Sequence, residues 1–220
     1  MALALFDLDN TLIAGDSDHS WGEFLIERQL VDATHYREQN DAFYQAYQQA
    51  SLDIDAYLKF AIAPLTRFTP ETLAEIHREF MYEKIEPLIL PAALALLQKH
   101  CNQGDQLVII TATNAFITRP IAARLGVTTL LATEPVLLND RYTGEYHGAP
   151  CYAEGKITVL NHWLKEQQLS LENSTFYSDS INDLPLLEQV DHPVAVNPDD
   201  RLEAIAKRRQ WPIIDLRSES

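Results

Sequence analysis

The sequence predicts an α/β fold: a doubly wound parallel sheet built from residues 1–14 and 86–220, with an all-helical insert at 15–85. Three observations point there. Apolar runs of strand length alternate with helical periodicities after residue 86. Between Leu12 and Lys84 the spacing is helical throughout, with few β-branched residues. Carboxylate, hydroxyl and amine side chains recur at the ends of the apolar runs, the edge at which open α/β sheets bind ligands.

The first strand, Ala2-Leu3-Ala4-Leu5-Phe6, leads into Asp7-Leu8-Asp9-Asn10-Thr11-Leu12. Trp21, Phe24, Leu25 and Ile26 mark the apolar face of a first helix, and Tyr36, Phe43, Tyr44 and Tyr47 that of a second. A third, with Tyr57, Leu58, Ala61 and Ile62, stops at Pro64. The fourth starts with Thr69 as N-cap, Pro70 and Glu71 in its first turn, and carries Leu73, Ile76 and Phe80. The Tyr and Phe residues of these helices are expected in the core, because apolar helical spacing usually means packing. A helix through residues 93–100 ends near Gly104, and 107–110 reads as a buried strand closing on Thr111-Ala112-Thr113-Asn114. A helix over about 116–125 is closed by Gly126, 129–132 is a third strand, and 136–138 with 142–146 forms a β-hairpin around Asn139-Asp140. Gly155-Lys156 opens another helix, Thr175–Ser178 is a fourth parallel strand and 194–196 a fifth, in a Rossmann-like alternation. Lys207-Arg208-Arg209 reads as a solvated helix end that complements the helix dipole.

The chain has 220 residues, 46% of them hydrophobic, enough for one α/β core and a modest second lobe. Its most apolar stretch, 88–97, is broken by Pro91 and is well below the run of about 20 residues that a spanning helix needs. A strand beginning at residue 2 with no basic segment before it argues against a secretory signal, so a cytoplasmic location and no membrane partner are expected. Cys101 and Cys151 lack a CxxC or a His at ligand spacing, which implies neither a disulfide framework nor zinc. The formal charge of −15 argues against nucleic acid as partner, since its phosphates are met by Lys and Arg. A small phosphate monoester would need local relief from that field, from a divalent metal and a well-placed Lys.

Asp7 and Asp9 share one face at the carboxyl end of a buried strand, where each raises the pKa of the other unless a cation or proton lies between them. Thr111, Lys156, and Asp179 with Asp183 follow at or just beyond later strand ends. This set suits phosphoryl transfer. Asp7 is the expected nucleophile, forming an aspartyl-phosphate, and Asp9 the acid that protonates the leaving alkoxide and later deprotonates water. Magnesium wants oxygen ligands, and Asp7, the backbone carbonyl of Asp9 and Asp179 suffice, with Asp183 orienting a water ligand or Lys156. Thr111 and Lys156 would hold the phosphoryl oxygens, where charge resides during transfer.

Read in order, Asp7-Leu8-Asp9-Asn10-Thr11, Thr111, Lys156 and Asp179-Ser180-Ile181-Asn182-Asp183 resemble the four motifs of the haloacid dehalogenase (HAD) superfamily phosphatases. The helical insert and the hairpin resemble the C1 cap and core of the phosphoserine-phosphatase-like subfamily IB. The resemblance covers essentially the whole chain and implies Mg2+ and a phosphate cradle that includes Ala112. Two positions depart from it: Ser178 stands where phosphoserine phosphatases carry Gly, and Thr111-Ala112-Thr113 replaces their Ser-Gly-Gly. Asp16 stands at the offset of the Glu that binds the substrate amine in those enzymes, and Asp16 and Asp18 either cap a helix before Trp21 or bind a cationic substrate. The segments Asp16–Trp21 and Thr111–Asn114 resemble the subfamily IB histidinol-phosphate phosphatases, which makes Asp16, Asp18, Asn114 and Asn182 the expected substrate contacts. Phosphoserine would also call for a cation on its carboxylate; Arg37 and Arg67 lie in the insert but match no family position. A receiver-type signalling module lacks both a helical insert and a second acid two residues after its phosphorylated Asp. A phosphate-binding scaffold could dispense with Asp9 or Lys156, and a mutase of the superfamily would pass the phosphoryl group to a sugar.

Overall fold

A computed structural model describes residues 2–218. The strands are β1 (Leu3–Phe6), β2 (Gln106–Ile110), β3 (Thr129–Leu131), β4 (Glu134–Leu138), β5 (Arg141–His147), β6 (Thr175–Ser178), β7 (His192–Val196) and β8 (Ile213–Ile214). Six form one parallel sheet in the order β3-β2-β1-β6-β7-β8, while β4 and β5 make a separate antiparallel hairpin. β1 is central, paired with β2 on one side and β6 on the other, so its carboxyl end lies at the middle of the sheet edge. The sequence pattern predicts five strands in this sheet; β8, only two residues long, carries too little pattern to be seen.

Helices α1 (Ser17–Glu27), α2 (Ala33–Gln48), α3 (Ile54–Ile62) and α4 (Pro70–Phe80) lie between β1 and β2, followed by α5 (Pro91–Gln103). Later come α6 (Ala115–Arg124), α7 (Glu154–Gln167), α8 (Leu184–Leu187) and α9 (Asp200–Arg209). Thr69 caps α4 through its hydroxyl, with Pro70 in the first turn, as its sequence predicts. Helix α3 ends at Ile62, and Pro64 falls in the 3₁₀ turn Ala63–Arg67 that follows.

Alternation along β1 divides the core. Leu3 and Leu5 pack with Val108, Ile110, Leu160 and Leu202 on the side of α7 and α9. Ala4 and Phe6 pack with Ile109, Leu97 and Ile121 and are continuous with Trp21, Phe24 and Leu58 of the insert. The two connections to the insert run side by side: the Ala14 N–H donates to the Leu88 carbonyl at 2.8 Å and Ile13 bridges Ile89. Among the described residues no helix is long and apolar enough to cross a membrane.

Candidate active site

Beyond β1 the chain knots tightly. The Leu8 carbonyl accepts from the N–H groups of Thr11, Leu12 and Ile13, at 3.3, 2.9 and 3.2 Å. Asn10 takes up the turn at φ 58°, a left-handed conformation that Asn tolerates better than most residues. Arg217 donates to the Asn10 carbonyl at 3.0 Å, so residues near opposite ends of the chain meet at this loop. The Thr11 hydroxyl donates to Asp179 at 3.1 Å and accepts from the Asp179 N–H at 3.1 Å, which joins the loop after β1 to the loop after β6.

Lys156 is fully buried and places its ammonium 2.8 Å from Asp7 and 2.8 Å from Asp183. It is set there by a crowded turn: a Cβ on Gly155 would lie 2.0 Å from the Pro150 carbonyl oxygen, and Ala153 has φ 48°. Burial alone would depress the Lys156 pKa, but the Asp183 and Asp7 carboxylates outweigh it and hold the ammonium charged. Asp183 also accepts from the Ser178 hydroxyl at 2.7 Å. Thus Ser178, where the related phosphoserine enzymes carry Gly, supplies a bond to the acid that grips the lysine.

Burial pushes Asp7 up to about 7, with Asp183 and Asp9 adding to the shift and Lys156 opposing it. Asp179 is raised by burial and by the charges of Asp7 and Asp183. Three crowded carboxylates, Asp7, Asp179 and Asp183, thus face one ammonium. Such an all-oxygen, charge-deficient set is of the kind that suits a hard divalent cation, for which Asp7, Asp179 and the Asp9 carbonyl are the expected donors.

Asp9 is held at both oxygens. One accepts from the Ser17 N–H at 2.6 Å and the other from the Thr113 hydroxyl at 2.8 Å. Burial and the Asp16 charge push it up to about 6 against these two bonds. Thr111, at the end of β2, accepts from the Thr113 N–H at 3.2 Å, which leaves its own O–H free to donate. In the sequence Thr113 stands out only as a departure from the Gly of the resembled motif, with nothing beside it to assign a role.

Asp7, Asp9 and Thr111 open into a narrow cavity between the sheet edge and the insert. Its wall carries Asp7, Asp9, Thr111, Ala112 and Thr113 from the sheet edge, and Asp16, Asp18, His19, Asn40 and several aromatic residues from the insert. Among the described residues no Lys or Arg lines it; Lys156 is bonded to Asp7 but lies off this wall. Asp16 caps α1, accepting from the His19 N–H at 2.8 Å, and also faces the cavity, so the two sequence readings of this residue are compatible. Asp18 is buried on the same wall. Burial pushes both up to about 6, with the Asp18 charge adding to the shift of Asp16 and the Asp9 charge to that of Asp18. Asn114 and Asn182 lie outside this wall. Asn114 is buried at the start of α6 with neither amide atom partnered, while Asn182 donates to the Tyr47 carbonyl of α2 at 3.0 Å and accepts from the Tyr152 hydroxyl at 3.2 Å.

The expectation that the insert's aromatics are core residues needs correcting for Tyr44 and Tyr47, which line the cavity and lie outside the core cluster; Phe43 and Tyr57 do both, packing in the core and lining the cavity, whereas Trp21, Phe24 and Phe80 are packed away. Helical periodicity identifies the inward face of a helix, and that face can meet a cavity as readily as a core.

Haloacid dehalogenase-like hydrolases match residues 4–188. The histidinol-phosphatase of Neisseria meningitidis serogroup C (strain 8013) is 51% identical over 219 residues, 98% of this chain and 99% of that protein. Phosphoserine phosphatase SerB1 of Mycobacterium tuberculosis (strain ATCC 25618 / H37Rv) is 34% identical over 225 residues, covering 98% of this chain and 71% of that one. Among solved structures, a protein of unknown function from Bordetella pertussis Tohama I superposes with a TM-score of 0.92 at 41% identity, covering 98% of each chain. A substrate-bound phosphoserine phosphatase shares the fold, with a TM-score of 0.70 at 16% identity over 97% of this chain and 92% of the other. The chain belongs to the haloacid dehalogenase-like hydrolases and is an enzyme of their phosphatase group.

Proposed function

We propose that the chain is a Mg2+-dependent phosphomonoesterase that forms an aspartyl-phosphate and acts on a small cationic metabolite, with histidinol phosphate as the substrate that fits best. One observation carries this reading: a single cavity joins Asp7 and Asp9 to two further carboxylates, half-buried Asp16 and buried Asp18, with no Lys or Arg among the described residues on its wall. A phosphate at one end and a positive charge at the other match that polarity. Similarity to the Neisseria histidinol-phosphatase supports the choice of substrate.

The Asp7 carboxylate attacks phosphorus, forming the acyl-phosphate as the ester oxygen leaves. Asp9, whose pKa of about 6 lets part of the population carry a proton near neutrality, protonates that oxygen. It then takes a proton from the water that cleaves the acyl-phosphate, which restores both carboxyl groups. Its bonds to Ser17 and Thr113 aim it at the reacting oxygen. Thr111, the Ala112 backbone and Lys156 hold the phosphoryl oxygens. A divalent cation held by Asp7, Asp179 and the Asp9 carbonyl supplies, when bound, neutralisation of the converging negative charge. Asp183 positions Lys156.

Phosphoserine is the competing substrate, favoured by the similarity to SerB1. Its carboxylate would meet Asp16 and Asp18 with no cation to receive it. Arg37 is exposed and paired with Glu23 at 3.2 Å, and Arg67 is exposed and bonded to the Leu30 carbonyl at 2.7 Å. The test is phosphate release with Mg2+ from histidinol phosphate and phosphoserine side by side. We expect kcat/KM to favour histidinol phosphate by about 100-fold or more, the scale of a charge left unpaired on binding. EDTA or Asp7→Asn should abolish release from both. Preference for phosphoserine would overturn the substrate, and full activity of Asp7→Asn the nucleophile.

A further inference from the structure

The cation end of the cavity is not uniform. Asp16 sits at the N-cap of α1 with one carboxylate oxygen already accepting from the His19 N–H. Asp18, in the first turn, is 9% exposed, and its Oδ1 is buried with no hydrogen-bond partner. A carboxylate oxygen left bare at such a depth costs free energy unless a ligand satisfies it. Around it the wall is aromatic. Tyr57 shares the wall with Asp18, the Phe43 and Tyr57 rings lie 5.7 Å apart at 69°, and the His19 and Tyr44 rings lie 4.7 Å apart. His19 cannot readily serve as the missing donor, because its Nε2 is engaged by Asp41 at 2.9 Å.

The two acids therefore suit different donors. A primary ammonium has three N–H groups and needs several acceptors or water around it. A ring N–H needs one acceptor, and its flat faces pack against other rings. Asp18 offers one unsatisfied oxygen among aromatic walls; Asp16 keeps an oxygen free at the better-solvated helix start. We infer that Asp16 receives the ammonium of the substrate, and that Asp18 with Tyr57 receives the N–H of a nitrogen heteroaromatic ring. The preferred substrate would then be a phosphate ester that carries both groups. This deepens the phosphomonoesterase reading above and rests on it.

The experiment compares kcat/KM of the Mg2+-loaded enzyme on three esters: histidinol phosphate with amine and ring, phosphoethanolamine with the amine alone, and 3-(imidazol-4-yl)propyl phosphate with the ring alone. In Asp18→Asn the ratio of histidinol phosphate to phosphoethanolamine should fall about 10- to 100-fold, the range for a lost hydrogen bond to a charged group. Tyr57→Phe, which keeps the ring, should shift the same ratio in the same direction. Asp16→Asn should instead lower the ratio of histidinol phosphate to the ring-only ester. Ratios that stay within twofold of wild type in both Asp18→Asn and Tyr57→Phe would overturn the inference, as would an Asp18→Asn loss that follows the amine. Failure of wild type to release phosphate from any ester would sink the phosphatase reading alone. Calorimetric titration with histidinol then decides the subsite: binding at least 10-fold tighter to wild type than to Asp18→Asn supports it, and equal binding overturns it.

Discussion

Lys156 shows how much depends on one side chain. It stands 2.8 Å from each of two buried carboxylates, so deleting its charge leaves both without their cation. Removing one partner of such a set costs about 3–5 kcal/mol, even where the intact set adds little net stability. Lys156→Met should therefore lower Tm by roughly 10 °C in a chain of this size, and reduce phosphate release by more than about 100-fold. Thermal scans and phosphate assays check both, and an unchanged Tm would contradict the buried-charge account. Asp7, Asp9, Lys156 and Asp183 were legible in the sequence because each follows an apolar strand or opens a helix. Thr113 and Ser178 were not. A hydroxyl after a strand looks like an ordinary cap, and only its partner across the fold, Asp9 or Asp183, gives it a role.

At the scale of elements, the turn before α7 decides where Lys156 stands. Glycine to alanine within a helix ordinarily stabilises by about 0.5–1 kcal/mol. At Gly155 the new methyl would lie 2.0 Å from the Pro150 carbonyl oxygen, and backbone must move to admit it. Overpacking of this kind costs about 1–3 kcal/mol, which outweighs the helical gain. Gly155→Ala should thus lower stability in urea denaturation and, by displacing the neighbouring lysine, lower kcat as well. A gain in stability would show that the turn can relax. The helices themselves were readable from capping and periodicity, down to Thr69 and Pro70. What periodicity could not tell was whether the inward face of α2 and α3 meets core or cavity, and Phe43, Tyr44 and Tyr57 fall on the cavity.

Across the whole molecule, buried acids set the response to pH. Burial raises Asp7 to about 7 and Asp9, Asp16 and Asp18 to about 6, above the ordinary 3.8. The native state therefore binds more protons than the unfolded chain between these values. Their contribution to stability is full below about 3.8 and is lost as pH rises through 6 to 7. Asp105, lowered by its bond to His100, acts in the opposite sense only below its ordinary value. We expect the Tm of metal-free protein to fall as pH rises from about 4 to 7. Saturating Mg2+ should recover part of the loss at pH 7, about 2.7 kcal/mol at 100 times its Kd. Differential scanning calorimetry at several pH values checks this, and a Tm that climbs across the window would contradict it. Contacts at this scale are also where sequence reading ran out: Asn182 reaches Tyr47 across 135 positions, with no local signature to announce it.

The bond from Arg217 to the Asn10 carbonyl bears on the order of events during synthesis. The loop that carries the paired aspartates leaves the ribosome well before one of its supports, which follows 207 positions later. A nascent chain can form β1 before the rest of the sheet, but the strand order places β6 beside β1 and Asp179 against Thr11, so the loop is completed only after β6 has emerged. Carboxy-terminal trimming ahead of residue 217 would remove that support while leaving every reacting group in place.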